Sequence, residues 1–213
     1  MTLWLTRIHL DPRLATVRAD LANAVRLHQR VMSLMPDDLG DQPRLQTGLL
    51  YRIDETPTGT HLLIQSRHRP DPTKLPPGYG DTATRDLTPL LDRLDTGTDV
   101  HYRLIGNTTK RAGRTSPRPG KLVALRGPDA EQWWTSRAER CGLHLATITA
   151  TSLNDIRGRP KDTDPKTGIR HAATRFDGIA TITDPDAVRR AVHEGIGRGK
   201  SHGCGLLSLA IAR

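Results

Sequence analysis

Aromatic residues are scarce in this 213-residue chain, where they make up 3% of the sequence. They are Trp4, Tyr51, Tyr79, Tyr102, Trp133, Trp134 and Phe176, so a core must be built chiefly from Leu, Val, Ile and Ala. A reader of single strands that stacks bases on aromatic faces is poorly served by such a composition, whereas a reader of duplex stems is not. Cysteine is scarcer still. Cys141 and Cys204 stand alone, outside any C-x-x-C pair, which excludes a zinc ribbon or a disulfide framework and fits a reducing compartment. No apolar run approaches the roughly 20 residues of a membrane span. The opening MTLWLTRIHL lacks the basic-then-apolar layout of a signal peptide. The expected setting is therefore the cytoplasm, with no membrane partner. Acidic residues are also in deficit: 23 Asp plus Glu face 32 Lys plus Arg, for a net charge of +9. An excess of that size points to a polyanionic partner without saying which.

The distribution of charge is more informative than its sum. Between Arg103 and Arg126 lie Lys110, Arg111, Arg114, Arg118 and Lys121, with no acidic residue among them. The middle of this segment, N-T-T-K-R-A-G-R-T-S-P-R-P-G, has the composition of an exposed loop. It suits phosphate contact, and equally a solvated connector between domains. A second basic segment holds Arg157, Arg159, Lys161, Lys166 and Arg170 around G-R-P-K-D-T-D-P-K-T-G, flanked by Thr- and Ile-rich runs. Two strands and a turn-rich tip predict a hairpin. It is either a basic ribbon for a nucleic-acid groove, its charge diluted by Asp162 and Asp164, or an ordinary surface hairpin.

Element patterning predicts an α+β fold of two tandem ferredoxin-like (RRM-like, βαββαβ) domains. L-W-L-T-R-I-H-L reads as a strand and Asp20 to about Met35 as a helix stopped by Pro36. G-L-L-Y-R-I-D and H-L-L-I-Q-S read as strands. The Pro-rich stretch ending P-P-G-Y-G reads as loop, followed by a short helix near Leu87 to Leu94 and the strand D-V-H-Y-R-L-I. The order then recurs: K-L-V-A-L-R, a helix opened by Gly127-Pro128, the strands around Leu145 and Phe176, a helix capped by Asp184-Pro185, and G-L-L-S-L-A-I-A. This reading divides the chain into residues 1–108, a basic linker at 109–119, and residues 120–213.

On the first helix, Val17, Leu21, Ala24, His28, Val31 and Met35 recur at helical spacing, which sets His28 in an otherwise apolar stripe. A core histidine bonded to a backbone carbonyl fits that position. So does an imidazole that moves a proton at a phosphodiester. The run G-I-G-R-G-K-S-H-G-C-G from Gly195 to Gly205 is the most unusual segment. Its Gly199-Lys200-Ser201 is not a P-loop, because the first glycine would have to replace Glu194 and the run leads from a helix into a strand. What remains is a flexible backbone able to approach a ligand, carrying Arg198, Lys200, Ser201 and His202. No His or carboxylate set has metal-ligand spacing, so no metal or other cofactor is expected. Cys204, between glycines and without an assigned base, reads as structural.

Three stretches together resemble the CasE family, the CRISPR-associated endoribonucleases of the type I-E Cascade complex within the RAMP superfamily. They are L-H-Q-R-V-M-S-L-M-P-D (Leu27 to Asp37), Y-R-L-I-G-N-T-T-K-R (Tyr102 to Arg111) and G-I-G-R-G-K-S-H-G-C-G-L-L-S-L-A (Gly195 to Ala210). The resemblance implies recognition of a CRISPR repeat RNA hairpin, metal-independent cleavage 3′ of its stem to leave a 2′,3′-cyclic phosphate, and retention on the crRNA with other Cascade subunits. It implies that His28 is the catalytic histidine, that the basic hairpin enters the RNA groove, and that the Gly-rich loop belongs to the site. One departure is Val25, where the family pattern has a catalytic Tyr three residues before the histidine. Arg26 and Lys200 are the expected basic partners of His28. Arg157, Arg159, Lys161, Lys166 and Arg170 are expected at the stem. Arg111, Arg114, Arg118 and Lys121, with Arg198, Ser201 and His202, are expected to add RNA contacts. The alternatives are a non-catalytic module that holds a processed guide, and a basic DNA-binding regulator, which lacks a helix-turn-helix signal.

Overall fold

The computed structural model describes residues 2–40, 46–117, 119–160 and 168–212. Its first sheet contains β1 (Trp4–Leu10), β2 (Leu50–Thr56), β3 (Gly59–Ser66) and β4 (Gly80–Asp86), in the order β2-β3-β1-β4. Every neighbouring pair is antiparallel. Alternation along β1 turns Thr6, Ile8 and Leu10 inward and Arg7 and His9 outward. The inner face packs on helices α1 (Ala15–Leu21) and α2 (Ala24–Met32) through Ile8, Leu10, Val17, Leu27, Val31, Leu62 and Ile64. The expected single helix from Asp20 is thus two, broken at Ala22 and restarted by Asn23, whose side chain accepts a hydrogen bond from Val25 N.

The strands of the second sheet are β5 (Asp99–Asn107), β8 (Leu143–Leu145), β9 (Thr149–Ser152), β12 (Ala173–Ile182) and β13 (Leu207–Ile211). They are ordered β13-β5-β12-β8, with β9 also paired to β12. Helix α3 (Thr88–Leu91) leads into it, while α4 (Pro128–Arg140) and α5 (Pro185–Glu194) supply its helical layer. Trp133 and Trp134 of α4 lie against Phe176 of β12, and Trp134 lies against Tyr102 of β5. Four of the seven aromatics are therefore spent on one core. Asp184 caps α5 through the Ala187 amide, with Pro185 in its first turn.

Two expectations need correction. D-V-H-Y-R-L-I was expected to close the first unit, but β5 pairs with β12 and β13 in the second sheet. The fourth strand of the first sheet is instead β4, G-D-T-A-T-R-D, which lies at the sheet edge with no buried residue and so carries no apolar signal. The Pro-rich connection read as loop holds only a 3-10 turn at Pro72–Lys74, and the short helix expected near Leu87 to Leu94 is α3. K-L-V-A-L-R was expected to open the second sheet. Its β7 (Leu122–Ala124) pairs only with β6 (Thr109–Arg111), forming a ribbon off the end of β5, with Leu122 and Val123 exposed. On this pairing we propose a division at 87–98 in place of the expected linker at 109–119. No helix among the described residues is long and apolar enough to cross a membrane.

The two sheets meet across a buried polar seam. Arg52 of β2 is 2% exposed and grips Asp54 bidentately at 2.8 and 2.9 Å. Its Nη1 also donates to the carbonyls of Arg103 on β5 and Leu206 beside β13, both at 3.2 Å. Gln65 of β3 adds a bond to the Val192 carbonyl of α5 at 2.6 Å. Arg52→Met should lower unfolding free energy by about 3–5 kcal/mol, because it takes the bidentate partner from the Asp54 carboxylate, leaving Arg103 at 3.9 Å, and removes the donor to two carbonyls in the seam. Urea denaturation followed by tryptophan fluorescence checks this. Arg52→Lys should recover only part of the loss, since one ammonium cannot reproduce the guanidinium fork.

Candidate functional site

His28 lies on the face of α2 that looks toward the second sheet. Ala24 and Val31 of the same stripe, and Leu27 beside it, are buried, whereas His28 is half-buried. Against this face stands a 3-10 turn, Lys200–His202, in the middle of the Gly-rich run. Glycines in left-handed conformation bound the turn, Gly199 at φ 77° and Gly203 at φ 85°. At Gly199 the constraint is this backbone conformation, since a Cβ there would meet the His171 ring and the Asn107 amide at ordinary contact distances of 3.4 and 3.5 Å. Tyr51 of β2 donates to the Ser201 carbonyl at 3.0 Å and so anchors the turn to the first sheet. Burial raises the Tyr51 hydroxyl far above its ordinary pKa, keeping it a neutral donor.

The turn brings His202 to His28, with ring centroids 5.9 Å apart and an edge-on approach. His202 in turn meets His171, the last residue of β11 (Ile169–His171), with its Nδ1 3.1 Å from His171 Nε2. His171 Nδ1 lies 3.0 Å from Nδ2 of Asn107, a buried residue at the end of β5. An amide nitrogen only donates, so this arrangement places the His171 proton on Nε2, from which it donates to His202. Burial lowers the pKa of His171, which favours its neutral form. Cys204, fully buried beside the turn, has its thiol pushed up to about 12, which makes it a packed hydrophobe rather than a nucleophile.

The basic hairpin is built from β10 (Ile156–Gly158) and β11, with Arg157 directly opposite Arg170. Like charges in that position repel. Asp155, only a tenth exposed, offsets them: it accepts from Arg170 Nε at 2.6 Å and from Arg126 at 3.0 Å, with Arg157 at 4.0 Å. The Arg170 hydrogen bond, helped by Arg126, holds the Asp155 carboxyl below the usual carboxylate range. Both Arg157 and Arg170 stay largely exposed. Asn23 ties the hairpin to α2. Its Nδ2 donates to the Arg159 carbonyl at 2.9 Å, and its Oδ1, besides capping the helix, accepts from Arg159 N at 3.1 Å. Gly158 permits this approach, since a Cβ there would sit 2.8 Å from Val25 N. A cleft of about 530 Å³ runs beneath, lined in part by Tyr51, Asp155, Arg157, Arg175 and His202.

The structure brings His202 against His28, with Lys200 and Ser201 on the same turn as His202, and Arg157 and Arg170 on the adjoining hairpin with Arg159 just after β10. It does not bring Arg26 to His28. Two positions along a helix amount to more than half a turn, and Arg26 bonds Asp20 at 3.3 Å in a separate hollow lined by Val25, Gln29 and Arg159. Arg198 is exposed on the Gly-rich run, while Arg111, Arg114 and Lys121 are exposed on the β6–β7 ribbon, where Arg111 donates to the Gly120 carbonyl. Arg118, Lys161 and Lys166 lie outside the described residues. Sequence reasoning missed His171, Asn107 and Tyr51. No local spacing marks them, because the bonds that join them span 31, 64 and 150 residues.

Because His171 is held neutral when folded, the unfolded chain binds more protons there below about pH 6.5, so its contribution to stability is complete above that pH and declines on acidification. Replacing it by His171→Gln should flatten the fall in Tm between about pH 6.5 and pH 5, as scanning calorimetry across that range would show.

A family model described as CRISPR associated protein matches residues 3–210. The CRISPR-associated endoribonuclease Cse3 of Thermus thermophilus is 28% identical over 222 residues, with 98% of this chain and all of the relative covered. The CRISPR system Cascade subunit CasE of Escherichia coli is 30% identical over 205 residues, covering 91% of this chain and 94% of the relative. The solved structure of Thermus thermophilus Cse3 bound to an RNA representing a pre-cleavage complex superposes with a TM-score of 0.81 at 27% identity, over 99% of this chain and all of the other. Two tandem ferredoxin-like sheets, a basic hairpin beside a glycine-bounded turn, and matches that run nearly end to end make this chain a member of the CRISPR-associated protein family.

Proposed function

We propose that this protein is a metal-independent endoribonuclease that binds the hairpin of a CRISPR repeat and cuts precursor crRNA 3′ of the stem. It then remains on the mature crRNA as a subunit of a cytoplasmic type I-E Cascade complex. One observation carries the proposal: the rings of His28 and His202 meet edge-on, with centroids 5.9 Å apart, beside a basic hairpin, in a fold shared with an endoribonuclease solved on RNA in a pre-cleavage complex. In the proposed reaction the 2′-hydroxyl beside the scissile phosphate loses its proton to an imidazole and attacks phosphorus in line. The 5′-oxygen of the next nucleotide departs, leaving a 2′,3′-cyclic phosphate. A positioned acid or base supplies about 10² to 10⁴-fold, and a stem held rigidly by the hairpin supplies much of the remainder through alignment.

The stem contacts are assigned to Arg157, Arg159 and Arg170. Asp155 preorganises the first and last of these without consuming their charge, because one carboxylate lies among three guanidinium groups. The exposed Arg111, Arg114 and Lys121 of the β6–β7 ribbon, with Arg198, are assigned to general phosphate affinity. A second reading, a non-catalytic subunit that holds the guide, draws on Val25: the family's tyrosine position carries an aliphatic side chain packed under Gly158.

Cleavage of labelled repeat RNA in EDTA separates the readings, since only the enzyme gives a product. His28→Ala should keep hairpin affinity within about twofold while cutting slows by about 10² to 10⁴-fold. Unchanged cutting would remove His28 from the mechanism, and a cleaved 2′-deoxy substrate would replace 2′-hydroxyl attack with attack by water. Arg157→Gln with Arg170→Gln should weaken hairpin binding and lower the slope of log affinity against log salt by about 2, as expected for two lost phosphate contacts. Anisotropy titrations at several salt concentrations measure both.

A further inference from the structure

Resting on the endoribonuclease reading, we infer that His202 is the general acid of the cleavage, the group that protonates the departing 5′-oxygen, and that Asn107 and His171 position it. A cyclising cleavage needs two proton transfers on opposite sides of phosphorus, one at the attacking oxygen and one at the leaving oxygen. Val25 supplies no proton and Arg26 is bound to Asp20 in another hollow. His202 is the imidazole held against His28. A centroid separation of 5.9 Å is about two hydrogen-bond lengths, which lets the two rings reach the two apical oxygens of one phosphorane. His202 stands on a short turn whose backbone is tied to Tyr51, so the ring is carried by a fixed support rather than by a mobile loop tip.

The chain behind His202 explains how its ring is steered in both protonation states. With the Asn107 amide nitrogen toward His171, neutral His171 donates from Nε2 to Nδ1 of neutral His202. Asn107 Oδ1 is buried and meets no donor among the described residues, so turning the amide breaks no bond at that oxygen. Turned, it accepts from His171 Nδ1–H, and His171 Nε2 then accepts the Nδ1–H of a His202 imidazolium. His171 can serve both roles because its two ring nitrogens face Asn107 and His202, and burial favours its neutral form. In the reaction His28 takes the 2′-hydroxyl proton, O2′ bonds to phosphorus, and the P–O5′ bond breaks with its electron pair left on oxygen. His202 Nε2 gives that oxygen its proton. The products are the cyclic phosphate and a 5′-hydroxyl, and exchange with water returns the two imidazoles to their starting states. His171 and Asn107 act only through His202 and are positioning residues.

A hairpin substrate with sulfur in place of the bridging 5′-oxygen tests this, because a thiolate leaves without protonation. His202→Ala and His202→Asn should cut the oxygen substrate about 10² to 10⁴-fold more slowly than wild type, yet cut the sulfur substrate within about tenfold of wild type. His28→Ala should be slow on both. His171→Ala should show a weaker form of the His202 pattern, with His171→Gln, which retains a side-chain NH near the Nε2 position, restoring cleavage of the oxygen substrate. The readout is a ratio of two rates on one preparation, so a partly unfolded variant reproduces the wild-type ratio. A wild-type ratio in both His202 variants overturns the assignment while leaving the endoribonuclease reading in place. If wild-type protein cuts neither substrate, the endoribonuclease reading fails and the assignment fails with it.

Discussion

The site exists only because two sheets from different parts of the chain are held in one relative position, and that position rests on Arg52. A guanidinium 2% exposed to solvent is costly to bury. Here each part of the cost is answered: Asp54 neutralises it bidentately, and two carbonyls of the opposite sheet take its remaining direction. Such a bond pattern is directional in a way that apolar packing is not. It sets β2 in register with β5 and the entry to β13, and β2 also carries Tyr51, one residue away on the opposite face of the strand. The bond from Tyr51 to the Ser201 carbonyl therefore inherits the geometry of the seam. The separation between His28, on a helix packed against the first sheet, and His202, on the turn that leads into β13 of the second, is a consequence of that docking.

Asn23 plays the corresponding part for the RNA-facing side. A helix N-terminus needs an acceptor for its orphan amides, and Asn23 supplies one to Val25. The same amide group exchanges two bonds with Arg159 across 136 residues. The hairpin base is thereby registered to the helix that bears His28. On the proposed assignment, a stem gripped by Arg157 and Arg170 is positioned relative to the histidine by a short rigid path rather than by the length of the hairpin. In-line attack depends on alignment within fractions of an ångström, so this path carries chemical as well as structural weight.

How much of this was legible in the sequence divides along a physical line. Features set by neighbours in the chain were readable: Gly127-Pro128 and Asp184-Pro185 open α4 and α5, the apolar stripe singles out His28, and the turn-rich basic segment forms a hairpin. Features set by long-range pairing were not. D-V-H-Y-R-L-I is a strand in either sheet, and only its bonds to β12 and β13 decide which. β4 escaped because an edge strand made of Gly, Asp, Thr, Ala and Arg buries no side chain and shows no alternation of polarity. His171 and Asn107 escaped for a related reason. They follow no motif, and their meaning comes entirely from a contact with His202.

The neutral chain behind His202 also resolves a conflict set by the composition. A chain with a net charge of +9 gathers phosphate readily, but an acid that must give up its proton and later regain it is poorly served by a fixed cation at its back. A lysine in place of His171 would repel the imidazolium, lowering its pKa and emptying it of the proton the leaving oxygen requires. A carboxylate would hold the imidazolium too firmly, and would draw in the nearby arginines that the RNA is meant to occupy. An imidazole made neutral by burial and backed by an amide avoids both, because it exchanges a donor for an acceptor without changing charge. On the proposed assignment the arginines are then left for the stem, where permanent charge is useful, and the titrating groups are kept for the scissile phosphate, where it is not.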